Sequence, residues 1–97
     1  MSLLPETIAE MLATAREHQQ GGDLDRADQV YHQVLQTDPT KTDALHGLGG
    51  IAYQRGLYDG AIHWLRQAVA GQESNAVLHS NLGAAYRVAG RLAWVSS

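Results

Sequence analysis

Five histidines are the side chains best suited to acid–base or metal chemistry, and their spacing argues against both uses. They are His18, His32, His46, His63 and His79. A metal site on one helix needs ligands about one turn apart, as in His-Glu-x-x-His, and no two of these histidines have that spacing. The chain also has no cysteine, which excludes a thiolate metal ligand and a cysteine nucleophile. The sequence therefore predicts no metal site and no histidine-based catalysis.

Two other segments resemble ligand-binding motifs but lack essential parts of them. The segment Gly47–Gly50 has three glycines, but it lies within a helical apolar pattern and lacks the lysine of a phosphate-binding loop. Asp23, Asp25 and Asp28 lack the glycine and the distal glutamate of a calcium loop, and helix capping explains them better. No serine lies in a Gly-x-Ser-x-Gly motif. We expect no catalytic residue, no cofactor and no enzymatic activity.

Length and charge limit the remaining function classes. The 97 residues suffice for one small domain, and 44% of them are hydrophobic, which argues against disorder. Seven basic against ten acidic residues give a net charge of −3, which argues against a nucleic-acid partner. No apolar run approaches the roughly 18 residues of a membrane span, and no basic residue precedes the apolar pair Leu3-Leu4 as in a secretory signal. We therefore expect a cytoplasmic protein with no membrane partner.

The chain repeats itself every thirty-four residues. Glycines and other small residues recur at this spacing, as Gly22, Gly56 and Gly90, and as Ala15, Gly49 and Gly83. Many matches at one period indicate a structural repeat rather than coincidence. The predicted units are residues 8–41, 42–75 and a shortened third unit, 76–97, within a single domain of residues 1–97.

Each unit is predicted to contain two helices and no strand, because its apolar residues recur at helical spacing. In the second unit these are Leu45, Leu48, Ala52 and Tyr53, followed by Tyr58, Ala61, Ile62, Leu65, Ala68 and Val69. Gly56 is expected to end the first of these helices. Thr40 and Asp43 resemble a capping box that would begin it. In the first unit, Asp23 is the predicted N-cap of the second helix, and Pro39 is predicted to stop that helix.

Small residues also predict where helices approach one another closely. Gly49, Gly83, Ala27 and Ala61 leave room that a larger side chain would fill. Because glycine inside a helix costs about 1 kcal/mol relative to alanine, close packing is the expected compensation.

These residues resemble the tetratricopeptide repeat, whose pattern is W-x2-L-G-x2-Y…A-x3-F…P over 34 residues. The matches are Met11-x2-Thr14-Ala15-x2-His18, Ala27-x3-Tyr31 and Pro39 in the first unit; Leu45-x2-Leu48-Gly49-x2-Ala52 and Ala61-x3-Leu65 in the second; and His79-x2-Leu82-Gly83-x2-Tyr86 and Val95 in the third. The resemblance implies an all-α fold of antiparallel helix hairpins. They would stack as a short right-handed solenoid of about two and a half repeats.

The same resemblance implies a non-catalytic protein–protein interaction module whose concave face binds a peptide or partner protein of unknown identity. The family's concave positions correspond to Leu12, Arg16, Gln19, Gln20, His46, Gly50, Tyr53, Gln54, Ser80, Asn81, Ala84 and Arg87. An ordinary solvated helix surface is the alternative interpretation of this face.

A second alternative follows from a further resemblance. Residues 27–31 and 44–49 are similar to repeats that precede the catalytic region of large bacterial glycosyltransferase or sulfotransferase-type enzymes. The chain would then be an N-terminal repeat fragment of such an enzyme. Of the asparagine ladder found in the repeats of protein O-glycosyltransferases, only Asn81 has a match here.

The end of the third unit suggests self-assembly. After Gly90 the pattern requires a full second helix, and only a short segment to Ser97 follows. Leu82, Tyr86 and Trp94 would then lie at an uncovered end, where repeat arrays normally carry a polar capping helix. Pairing of two copies through this end would cover it. A monomer in which Trp94 folds back over Leu82 is the alternative.

Overall fold

The computed structural model describes residues 7–72 and 74–96, with side chains described as far as Arg91. Within these residues the chain forms five α-helices and no strand. The helices are α1 (Ile8–Gln20), α2 (Leu24–Thr37), α3 (Thr42–Gln54), α4 (Tyr58–Gly71) and α5 (Ala76–Ser96). The all-α prediction is confirmed.

The helices form an elongated, layered stack rather than a globular bundle. Helix α1 packs on α2, α3 packs on α4, α2 contacts α3, and α5 packs on α4. The molecule measures 56 × 29 × 19 Å, and its radius of gyration is 14.4 Å. A compact chain of this length would have a radius of about 12.5 Å. The stack is the start of a helical-repeat solenoid, in which each helix pair contacts only its neighbours.

Local capping sets where most helices begin and end. The Asp23 carboxylate accepts a hydrogen bond from the Arg26 N–H and caps α2 as predicted. Helix α2 ends at Thr37, two residues before Pro39, also as predicted. Gly22 and Gly56 follow α1 and α3 with φ of 86° and 77°, a conformation that costs glycine little.

Two caps differ from the sequence prediction. The capping box expected at Thr40 and Asp43 is wrong: α3 begins after Lys41 without a side-chain cap. The Thr40 hydroxyl donates instead to the Asp38 carboxylate, 3.1 Å away. The Thr40 side chain is therefore held within the loop and does not cap α3. A complete capping box lies at Thr7 and Glu10, at the start of α1.

The core consists of small residues between helices and a few large ones in the gaps. Ala27 and Ala61 are fully buried, which confirms close helix contacts at both positions. Of three apolar clusters, the first lies among α1, α2 and α3, and the other two both lie among α3, α4 and α5. Trp64 is only partly buried, yet it packs against all three clusters. Its indole therefore joins the two helix hairpins.

The close approach predicted at two glycines occurs at one of them. A Cβ on Gly49 would lie 2.8 Å from Leu65 Cγ, so the missing side chain lets α4 lie against α3. At Gly83, no atom of another helix among the described residues lies within 4 Å of the corresponding position. The prediction for Gly83 is wrong because, among the described residues, no helix covers that side of α5.

Gly90 also departs from the pattern. Helix α5 continues through it to Ser96 and is 21 residues long, against 13 or 14 for the other four helices. An unbroken helix keeps the backbone N–H and C=O groups paired locally. The segment after Gly90 therefore extends α5, and its backbone does not fold back over Leu82. The Trp94 side chain lies outside the described residues. Among the described residues, no helix has the length and apolar character needed to cross a membrane.

Candidate partner-binding face

Helices α1, α3 and α5 contribute the predicted concave positions, and α3 and α5 enclose a hollow between them. Its volume is about 310 Å³. The hollow is lined by His46, Gly49, Gly50, Tyr53, Leu65, Asn81 and Ala84. Three of the predicted partner-binding side chains, those of His46, Tyr53 and Asn81, therefore surround one depression.

A hydrogen bond between side chains of α3 and α5 crosses one side of the hollow. The Asn81 side-chain nitrogen of α5 lies 2.8 Å from His46 Nε2 of α3. Because an amide NH₂ group can only donate, His46 Nε2 is the acceptor of this bond. Both side chains are half-buried, so their relative position is restrained. The bond leaves the Asn81 carbonyl oxygen as an acceptor.

A second hydrogen-bonded chain crosses the face between α1 and α3. The Tyr31 hydroxyl donates to Gln19 Oε1 over 2.9 Å, and Gln19 Nε2 donates to Gln54 Oε1 over 3.2 Å. The predicted residues Gln19 and Gln54 are therefore brought together. Gln54 accepts in this chain, and its own NH₂ group remains as a donor.

Tyr31 is the participant that the sequence prediction missed, because it belongs to the outer helix α2. Its ring is 2% exposed and lies where a side chain on Gly47 would be: a Cβ there would be 2.3 Å from the ring carbon Cζ. The hydroxyl can reach Gln19 because Gly47 leaves the space open. Burial raises the pKa of the Tyr31 hydroxyl above its ordinary value; of two smaller effects, Arg16 lowers this pKa and Asp43 raises it.

The other predicted partner-binding residues have different surroundings. Leu12 is 4% exposed and belongs to the first core cluster, so it is not available to a partner. Arg16 is exposed and lies 3.7 Å from the Asp43 carboxylate of α3. Gln20, Ser80 and Arg87 are exposed. Among the described side chains, Arg87 has no ion-pair partner.

The opposite side of α5 carries a second, shallower depression against α4. Its volume is about 520 Å³, and it is lined by Arg66, Val69, Ala70, His79, Leu82 and Tyr86. Leu82 is half-buried against the second core cluster, whereas Tyr86 is 49% exposed. Both predicted self-association residues that the structure describes thus lie at one depression. Among the described residues, no group of three or more His, Asp or Glu side chains could hold a metal ion.

Comparison with protein families and comparison with solved structures both give matches. The tetratricopeptide repeat family pattern matches residues 12–76. Among solved structures, a Thermobaculum terrenum O-GlcNAc transferase mutant matches with 37% sequence identity and a TM-score of 0.77. This match covers 80% of the present chain but only 15% of that protein, so the chain spans a small part of its length. The search of curated sequences gives no significant match.

Proposed function

Because the chain belongs to the tetratricopeptide repeat family, we propose that it is a non-catalytic module that binds a peptide or partner protein on its concave face. The observation that supports this best is the hollow between α3 and α5. It combines an exposed aromatic, Tyr53, with the Asn81 amide and an apolar floor. Aromatic area beside a few fixed polar groups is typical of protein binding sites.

Peptide titration tests this proposal. Extended peptides from a random library are titrated against the wild-type chain by calorimetry, and each binder is then measured against Asn81→Ala. We expect affinity to fall about tenfold, the effect of losing one or two hydrogen bonds in a partly buried site. Gln33→Ala, at an exposed position on the outer helix α2, is the control and should bind normally. A library without any binder, or equal affinity for Asn81→Ala in every case, would contradict the proposal.

A role inside a larger sugar-transferring enzyme is the second candidate. The 37% identity to an O-GlcNAc transferase over 80% of this chain supports it. In that case the same face would hold the protein that the enzyme modifies. An immunoblot of an extract of the native source, probed with an antibody against the repeats, gives the mass of the parent protein. Only bands near the 10.5 kDa of the present chain would exclude this candidate.

Self-assembly is the third candidate, and the depression between α4 and α5 supports it. Tyr86 is half-exposed there beside Leu82, and burying apolar surface contributes about 25 cal/mol per Å². Pairing about a two-fold axis would bury the same patch on both copies. Light scattering over a dilution series should show a dimer that Tyr86→Lys disrupts. A monomeric mass at high micromolar concentration, unchanged in that variant, would exclude pairing.

A further inference from the structure

The floor of the concave hollow is apolar, because it includes Leu65 of α4, which packs directly against Gly49 of α3. Gly50 lies next to it, and the Gln19 amide of α1 fills the space beside Gly50, with Nε2 3.1 Å from where a Cβ would be. Ala84 of α5 forms part of the opposite wall. A volume of about 310 Å³ is at the lower end for a ligand site. It suits one apolar side chain better than a helix face, which presents several.

The polar groups around this hollow match a bare peptide backbone. The hydrogen bonds already described leave the Asn81 carbonyl oxygen as an acceptor in the hollow and the Gln54 amide as a donor beside it. An extended peptide offers unpaired N–H and C=O groups along its length, whereas a helical peptide has paired its own. The available groups therefore favour an extended occupant.

The charge beside the hollow is positive. Arg87 lies three residues after Ala84, and residues at this spacing share a helix face. It is exposed and without an ion-pair partner among the described side chains. The basic residue at the other end of the face, Arg16, is already near the Asp43 carboxylate. An occupant of the hollow therefore places its flanking residue beside an uncompensated cation.

From these three features we propose the chemistry of the ligand: an extended segment with one apolar side chain in the hollow and an acidic residue beside it, facing Arg87. This inference rests on the proposed peptide-binding function and refines it. The hollow selects the apolar side chain by shape, and Arg87 selects its neighbour by charge.

Three synthetic peptides test the inference. Each has a Gly/Ser-rich sequence with blocked ends, and their centres are Glu-Leu-Glu, Glu-Ala-Glu and Lys-Leu-Lys. The flanking charge is placed on both sides so that either chain direction is covered. We expect the Glu-Leu-Glu peptide to bind about tenfold more tightly than the alanine peptide, a typical effect of a side chain lost from an apolar pocket. Relative to the lysine peptide the expected advantage is about fivefold, as for an exposed ion pair.

Two variants of the protein assign these preferences to residues. Arg87→Glu changes only an exposed side chain and should reverse the charge preference, so that Lys-Leu-Lys binds better than Glu-Leu-Glu. Ala84→Leu fills the hollow and should abolish the preference for leucine over alanine. Ala9→Leu, at an exposed position of α1 away from the hollow, is the matched control and should retain it. Circular dichroism checks that each variant folds.

The outcomes separate this inference from the function on which it rests. If library peptides bind but the Glu-Leu-Glu peptide has no advantage over the other two, the ligand chemistry is wrong and the binding function stands. If the Glu-Leu-Glu peptide still binds Arg87→Glu more tightly than the Lys-Leu-Lys peptide does, the inference is also overturned. If neither the library nor the three peptides bind, the proposed function itself fails.

Discussion

Gly49 and Gly83 occupy the same place in the thirty-four-residue pattern, yet their surroundings have nothing in common. Gly49 lies directly against Leu65, with 2.8 Å between the position of an added Cβ and Leu65 Cγ, whereas nothing in the described part of the chain fills the space beside Gly83. Gly56 and Gly90 differ in the same way. Gly56 has φ of 77° in the turn after α3, while Gly90 lies inside α5. In this protein, the role of a repeat position depends on the helix that packs against it.

The reason is the number of packed neighbours. Helix α3 has α2 on one side and α4 on the other, whereas α5 packs mainly on α4 and meets α3 at fewer points, among them the hydrogen bond between Asn81 and His46. Seven residues of α3 are buried. In α5, Leu78 and Ala85 are buried, but Val77 and Tyr86 remain exposed. The following predictions compare these two regions, from the largest expected effect to the smallest.

Gly47→Ala tests the most crowded point of α3. The added Cβ would lie 2.3 Å from the Tyr31 ring, and the buried ring would have to leave its place. We expect unfolding free energy to fall by about 3 kcal/mol, near the upper end for overpacked cores. Urea unfolding followed by circular dichroism measures it. A loss below about 0.5 kcal/mol would show that the ring relaxes at little cost.

Ala61→Phe tests the contact between α4 and its neighbours. Ala61 is fully buried in the second core cluster with Ala52, Leu65 and Ala85. A phenyl group there should destabilise by about 1–3 kcal/mol. Ala70→Phe on the exposed side of the same helix is the matched control and should leave the urea midpoint nearly unchanged. Equal midpoints for both variants would contradict the assigned helix contact.

Gly49→Ala and Gly83→Ala make the same change at equivalent positions and should have opposite effects. Alanine is favoured over glycine in a helix by about 1 kcal/mol. At Gly83 nothing opposes that gain, so stability should rise by up to about 1 kcal/mol. At Gly49 the clash with buried Leu65 outweighs it, and stability should fall by about 1 kcal/mol. The same sign at both sites in urea melts would refute the contrast between α3 and α5.

Tyr31→Phe tests the hydrogen-bonded chain and its dependence on pH. Because burial raises the pKa of Tyr31 in the folded state, the folded protein holds this proton more tightly than the unfolded chain. Stability from this group is therefore complete below the ordinary tyrosine pKa, about 10, and is lost as pH rises above it.

At neutral pH, Tyr31→Phe should cost about 0.5–1.5 kcal/mol, the net contribution of one hydrogen bond. Above pH of about 10, the variant should lose stability less steeply than the wild type. Tyr58→Phe, a half-exposed tyrosine for which no hydroxyl hydrogen bond is seen among the described residues, is the control. Parallel pH profiles for Tyr31→Phe and wild type would remove Tyr31 as the source of the alkaline effect.

The sequence by itself determined the helices and most of their ends. Apolar spacing, the Asp23 cap, the Gly56 turn and Pro39 act over a few residues, so their physical effect can be read from neighbouring positions. The thirty-four-residue period likewise predicted the family and the stacked architecture. It also indicated which face carries His46, Tyr53 and Asn81, because helical periodicity assigns residues to faces.

Only the tertiary structure decided how distant parts of the chain meet. Tyr31 reaches Gln19 through the gap at Gly47, a contact between layers that spacing along the chain cannot predict. Leu12 lies at the border between the concave face of α1 and its buried face, and the spacing of residues along a helix does not locate that border to within one residue. Its apolar side chain packs into the first cluster because burial there removes it from water. Gly90 stays helical for a related reason. A glycine permits a turn but does not require one, and whether a turn forms depends on tertiary packing that the position of one glycine cannot predict.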